Sequence, residues 1–231
     1  MSAPDIQVLD DPAARVADML VEAAAAGSHI VLTGGSTPRA AYEKAAEKGA
    51  DWSRAEIWFG DERCVPPEHE HSNFGMANAA LLSKIEPKAV HRMHGELGPQ
   101  DGAREYAQQL DGAFGQGVLP EFGLLLLGLG PDAHIASLFP GNPELSEQTK
   151  TVVGVETPGM APLVARISLT LPVINAASQV VFLVSGEDKA EAVARAFGGM
   201  RPGPDAPASL VRPEPGSLTV LLDPAAARHV G

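Results

Sequence analysis

Asp132 and His134 stand two residues apart, directly after the unbroken apolar run Leu124–Leu127 and the loop Gly128-Leu129-Gly130-Pro131. An imidazole titrates near neutral pH and can take a proton from water. A carboxylate beside it can fix its orientation or balance its charge. Together they could perform general acid–base chemistry. A second group could hold an anion. Gly34-Gly35-Ser36-Thr37 lies between an apolar run and a helical pattern, where glycines permit close backbone approach and a helix start offers unpaired amides. The same residues also read as a tight turn capped by a hydroxyl. Arg63, in Asp61-Glu62-Arg63, can grip a phosphate through two hydrogen bonds, although by themselves these three residues read rather as a surface ion pair. Lys189 opens a helical pattern, a placement that opposes the helix dipole unless an anion lies between, and Arg166 at a strand start could join it, although singly each reads rather as a solvated charge.

Other constellations carry less. Gly128-Leu-Gly-Pro-Asp-Ala133 fits the dinucleotide fingerprint G-x-G-x-x-[GA], which needs a strand before it and a true helix after it. Pro140 and Gly141 stop any helix after about two turns, so a nicotinamide cofactor is not expected. His69-Glu70-His71 lacks the third and fourth ligands of a zinc site and reads as a solvated loop. Cys64 sits beside Arg63, which could lower its pKa, but without a visible base it reads as a packed thiol. No G-x-S-x-G elbow is present.

These residues need elements to position them, and the pattern supplies strands followed by loops and helices. A helix is expected over residues 12–26, capped by Asp10 or Asp11 and ended by Gly27. Strands are expected at Ile30–Leu32, Ile57–Phe59, Phe122–Leu127, Val152–Val155, Val180–Val184 and Leu218–Leu222, and a half-exposed one at Arg166–Leu171. Helices are expected over 38–48, 74–83 (capped by Ser72 or Asn73), 100–113 and about 187–197, with a short tail helix capped by Asp223-Pro224. This order implies an α/β fold, a mostly parallel sheet with helices on both faces. No shift in composition marks a boundary, so residues 1–231 read as one domain, and residues 142–165 could form a small appended lobe.

Length and charge narrow the functions. A chain of 231 residues with net charge −12 repels nucleic acid and anionic membranes, so neither is an expected partner. A phosphorylated ligand would need local cations. One cysteine allows no intrachain disulfide and fits a reducing compartment. The N-terminal residues lack a signal-peptide pattern, and no apolar run approaches the roughly 18 residues of a membrane span. A cytoplasmic protein is expected, monomeric or weakly homo-oligomeric.

In order along the chain, Thr33-Gly-Gly-Ser-Thr-Pro38, Trp58-Phe-Gly-Asp-Glu-Arg-Cys-Val-Pro66 with Ser72-Asn73, Leu127-Gly-Leu-Gly-Pro-Asp-Ala-His-Ile-Ala-Ser-Leu-Phe-Pro-Gly141, Arg166-Ile-Ser-Leu169, Gly186-Glu-Asp-Lys189 and Leu222-Asp-Pro-Ala-Ala226 resemble the 6-phosphogluconolactonase family. The resemblance covers nearly the whole chain. It implies the fold shared with glucosamine-6-phosphate deaminases and ribose-5-phosphate isomerases. It implies hydrolysis of 6-phosphoglucono-1,5-lactone without metal or cofactor. The family's catalytic histidine falls on His134 and its phosphate-binding cations on Arg63 and Lys189, with Arg166 a further candidate. Where the family usually has glycine, this chain has Ala133. The deaminase branch typically carries tyrosine after Asp-Glu and Asn-Glu-Pro after the histidine loop; here stand Arg63 and Ser137-Leu-Phe-Pro140. A sugar-phosphate sensor is the remaining alternative, though such regulators usually add a DNA-binding region.

Overall fold

The computed structural model describes residues 3–199 and 201–230. In chain order the elements are β1 (Asp5–Val8), α1 (Pro12–Ala26), β2 (His29–Leu32), α2 (Ser36–Glu47), β3 (Glu56–Phe59), β4 (Asp61–Arg63), α3 (Asn73–Ala80), β5 (Ala89–Val90), α4 (Pro99–Phe114), β6 (Leu124–Leu127), β7 (Val152–Val155), β8 (Arg166–Leu169), α5 (Leu171–Asn175), β9 (Gln179–Val184), α6 (Ala190–Phe197) and β10 (Ser217–Leu222). Seven strands form one parallel sheet in the order β1-β10-β9-β6-β2-β3-β5, and β4-β8-β7 form a small antiparallel sheet.

Burial explains the strand composition. All four residues of β6 are buried, as are the last five of β9 and of β10. A strand covered on both faces has no reason to alternate. α1 begins where the Asp11 side chain accepts the Ala14 amide hydrogen bond and ends at Gly27 in the left-handed conformation. α1 packs on α2 and α2 on α3, while α4 lies against β7 and β8.

Two expectations are corrected. Arg166–Leu169 is buried at every position rather than half-exposed. Its polar side chains have partners: the Ser168 hydroxyl donates to the Leu169 carbonyl, and that of Thr170 to the Lys150 carbonyl. Residues after Asp223 form hydrogen-bonded turns rather than a helix. The segment 142–165 contributes β7 to the small antiparallel sheet, whose other strands come from residues 61–63 and 166–169.

The topology creates one crevice. From β2 the chain steps outward to β3 and β5, then returns to the other side of β2 with β6 and continues to β9 and β10. Loops leaving β2 and β6 therefore diverge, and a ligand can enter between them at the carboxyl ends of the strands. The hop from β3 to β4 takes one residue, Gly60, whose amide donates to Leu32 and whose carbonyl accepts from Leu169. This residue stitches the small sheet to the rim of the large one.

Candidate active site

A cleft of about 270 Å³ occupies this crevice. The β2 loop contributes Thr33 to Pro38, β4 contributes Asp61 and Arg63, and α3 contributes Asn73. The β6 loop contributes Gly128 to Pro131, His134 and Ala136. Met160, Ala161, Arg166, Ser185 and Lys189 complete the wall. Of the residues singled out from sequence, Gly34, Gly35, Ser36, Thr37, Asp61, Arg63, His134, Arg166 and Lys189 all line it. Asp132 stands behind His134, and its Oδ1 lies 2.6 Å from the ring Nδ1.

The histidine loop is built from turns, and no helix forms over residues 128–141. The fingerprint's helix N-terminus is therefore not formed here. The Gly130 amide donates to the His134 carbonyl, the Ala133 amide to Gly130, and the His134 amide to Asp132 Oδ1. A Cβ on Gly130 would come within 2.0 Å of the imidazole Nδ1, so only glycine lets the ring and carboxylate lie against this backbone. Ala133 has φ 67° and Ala136 has φ 47°, both in the left-handed region. Ala136 and Ser137 form the tip of a tight turn closed by hydrogen bonds between Ile135 and Leu138. A neutral imidazole that directs its Nδ1–H to Asp132 presents an Nε2 lone pair on its other side. Burial acts to raise the Asp132 pKa, but the hydrogen bond and charge of His134 outweigh it and hold the carboxyl below its ordinary 3.8. The Phe139 ring packs against His134, with centroids 4.5 Å apart.

The surface ion-pair reading of Asp61-Glu62-Arg63 does not hold, because Asp61 and Glu62 are buried. Glu62 organises the start of α3. Its Oε1 accepts from the Arg63 and Asn73 amides, and its Oε2 from the Phe74 amide and the Ser72 hydroxyl. Ser72 in turn takes the Gly75 amide through its hydroxyl and the Met76 amide through its carbonyl, so the first four donors of the helix are satisfied. Burial raises the Glu62 pKa in spite of these bonds. Arg63 donates to the His71 carbonyl at 2.7 Å. The Cys64 thiol is pushed up to about 12 by burial and by nearby Glu156 and Glu62, so Arg63 does not activate it. Among the described residues no cluster of His, Cys, Asp and Glu could hold a metal, and His69 and Glu70 are exposed.

Arg63 and Arg166 are register partners across β4 and β8. Like charges directly opposite repel, and burial with the Arg63 charge lowers the Arg166 pKa while Asp61 opposes the shift. Arg166 also donates to the carbonyls of Val164, Met160 and Pro162, so it holds the 160–164 wall as well as facing the cleft. Lys189 is part-buried, 3.4 Å from Asp188.

Two residues of this network escape a reading of residue types. Ser137, fully buried, donates to Asp61 Oδ2 at 2.7 Å and lies 3.5 Å from Arg166. Asn73 donates to Asp61 Oδ1 and its carbonyl and packs on Gly34, where an added Cβ would meet it at 2.0 Å. The signal for Asn73 was its adjacency to a capping serine, which disguised it as a cap. Ser137 left no signal beyond its nearness to His134.

A parallel α/β sheet thus gathers a histidine–carboxylate pair and three basic side chains at its switch point. The family model described as glucosamine-6-phosphate isomerases/6-phosphogluconolactonase matches residues 5–220, and the chain belongs to that family. A 6-phosphogluconolactonase of Streptomyces coelicolor is 42% identical over 234 aligned positions, covering 94% of this chain and 88% of that protein. The structure of 6-phosphogluconolactonase from Trypanosoma cruzi superposes with a TM-score of 0.87 at 28% identity, covering 100% of this chain and 98% of the other. A monomeric glucosamine-6-phosphate deaminase shares the fold at TM-score 0.82 and 18% identity, over 99% of this chain and 100% of the other.

Proposed function

We propose that this protein is an enzyme that hydrolyses 6-phospho-D-glucono-1,5-lactone to 6-phospho-D-gluconate, the lactonase step of the oxidative pentose phosphate pathway. The observation that carries this reading is the His134–Asp132 pair beside Arg63, Arg166 and Lys189, cations gathered in a chain of net charge −12. The whole chain works as one α/β domain, in a reducing, cytoplasmic setting, as a monomer or weak homo-oligomer. No described helix is long and apolar enough to cross a membrane.

The lactone carbonyl is already electrophilic, so no covalent enzyme intermediate is needed. Arg63 and Lys189 hold the phosphate, which fixes C1 before one water. His134 Nε2 takes the proton of that water as its oxygen bonds to C1. Asp132 holds the ring in this tautomer and balances the imidazolium. Amides of the Gly34-Gly35-Ser36 turn or of the His134 loop receive the oxyanion. The tetrahedral species collapses with cleavage of the bond from C1 to the ring oxygen, and the imidazolium returns its proton to that oxygen. Asp61, held by Ser137 and Asn73, accepts sugar hydroxyls.

The test is turnover of freshly made 6-phosphogluconolactone, with spontaneous hydrolysis subtracted and glucosamine 6-phosphate as a control. A folded His134→Ala protein loses about 10²–10⁴-fold, the usual worth of a general base. Unphosphorylated gluconolactone is a poor substrate, and Lys189→Ala weakens binding of the phosphorylated one by about 1.5–3 kcal/mol. Near wild-type turnover by His134→Ala means that His134 is not the base and makes Asp61 the next residue to test. Ligand binding without turnover restores the sensor reading.

A further inference from the structure

Lys189 reaches the cleft from a turn that has little structure of its own. Gly186 has φ 104°, and Glu187–Lys189 make a single 3₁₀ turn before α6 begins. What holds that turn lies on another strand. The Gly186 amide donates to both carboxylate oxygens of Asp223, at 3.2 and 3.0 Å. Asp223 directly follows β10, and its own amide donates to the Val184 carbonyl at the end of β9. Its Oδ1 also accepts the Ala226 amide at 2.7 Å, and Ala226 is fully buried. Arg228 of the same tail pairs with Glu187, inside the Lys189 turn.

We infer that Asp223 is a positioning residue for the phosphate cation: its carboxylate anchors the Gly186 amide and thereby sets where Lys189 meets the substrate. The inference rests on the reading that Lys189 holds the phosphate. Asp223 touches no substrate atom, and it acts only on the part of the ligand that Lys189 grips. The sign of its effect separates position from charge. Removing a negative charge by itself favours an anion, so weaker phosphate binding after its removal reports the lost anchor.

The test compares Asp223→Ala, Asp223→Asn and Lys189→Ala on 6-phosphogluconolactone and on unphosphorylated gluconolactone, with folding checked by thermal melting. In Asp223→Ala, KM for the phosphorylated lactone rises roughly tenfold, the scale of one charge-assisted hydrogen bond, while kcat stays within about twofold. The kcat/KM for gluconolactone is unchanged. Asp223→Asn keeps one acceptor for the Gly186 amide and gives an intermediate KM; it also serves if the alanine variant does not fold. Equal losses on both lactones would mean a merely structural role and overturn the inference. If Lys189→Ala discriminates between the lactones and the Asp223 variants do not, the anchor alone is overturned. If Lys189→Ala treats both lactones alike, the phosphate reading fails first and takes this inference with it.

Discussion

Ala133 is fully buried at φ 67°, between an amide that donates to Gly130 and a carbonyl that accepts from Ala208. Its Cβ costs about 1 kcal/mol in that region. Ala133→Gly relieves this cost and returns a similar amount, about 0.4–1 kcal/mol, as freedom of the unfolded chain. The expected result is unchanged stability by urea denaturation and full or higher turnover; a large loss of turnover would show that the methyl group shapes the loop. Its neighbour Asp132 gives a pH signature. A carboxyl held below 3.8 in the folded protein stabilises fully above that value and loses its contribution as pH falls through the folded pKa. Asp132→Asn is therefore less stable than wild type near neutrality, and the gap closes in strong acid. A gap independent of pH would place the effect in packing instead. Asp132 and His134 were legible because they are neighbours in sequence and their meeting needs only a local turn. The Ser137–Asp61 hydrogen bond spans 76 residues, and no local pattern carries it.

Among the elements, α3 shows what a residue class conceals. Glu62 looked like surface charge because Asp, Glu and Arg adjoin, yet it lies 2% exposed and closes the helix start with four accepted bonds. Glu62→Gln keeps the shape but turns an NH₂ group toward donors. It is expected to destabilise by about 1.5–3 kcal/mol, the scale of hydrogen bonds to a charged group, which guanidinium denaturation would measure; a change under 0.5 kcal/mol would refute the capping role. Strands β2, β3, β6 and β9 were readable because burial on both faces leaves uninterrupted apolar runs, and β10 because Thr219 alone interrupts its run. β8 misled for the complementary reason: serine and threonine imitate an exposed face when their hydroxyls find partners inside. The tail after Asp223 carries a cap signal that is used, but the Asp223 carboxylate is shared with Gly186 and the segment stops at turns.

At the scale of the molecule, acid sensitivity has a source remote from the cleft. His29 starts β2 and Glu56 starts β3, so both lie at the opposite ends of the strands. The His29 Nδ1 accepts the Trp58 indole hydrogen bond at 3.0 Å, which requires a neutral ring. Burial lowers its pKa; Glu56 opposes this, and His91 and Lys88 reinforce it. A histidine with a depressed folded pKa contributes fully above 6.5 and loses that contribution as pH falls through the folded value. His29→Gln, which keeps an acceptor but cannot titrate, should flatten the decline in denaturation midpoint between pH 8 and 5. It should leave lactone turnover at neutral pH in place, because His29 lies at the far end of the strands from the cleft. An unchanged slope would assign the decline to other groups. The sheet's edge carries a consequence for biosynthesis. Among the described residues β1 pairs only with β10, about 200 residues later. At 5–20 residues per second a ribosome leaves β1 waiting roughly ten to forty seconds for its neighbour. Its Asp-Ile-Gln-Val sequence, half polar, is suited to that interval because it makes a poor template for a stranger's edge. A circular permutant opened at the exposed Gln116-Gly117, with a linker long enough for the crossover that parallel strands require, would make β10 and β1 consecutive. It should hydrolyse the lactone as the parent does and refold faster.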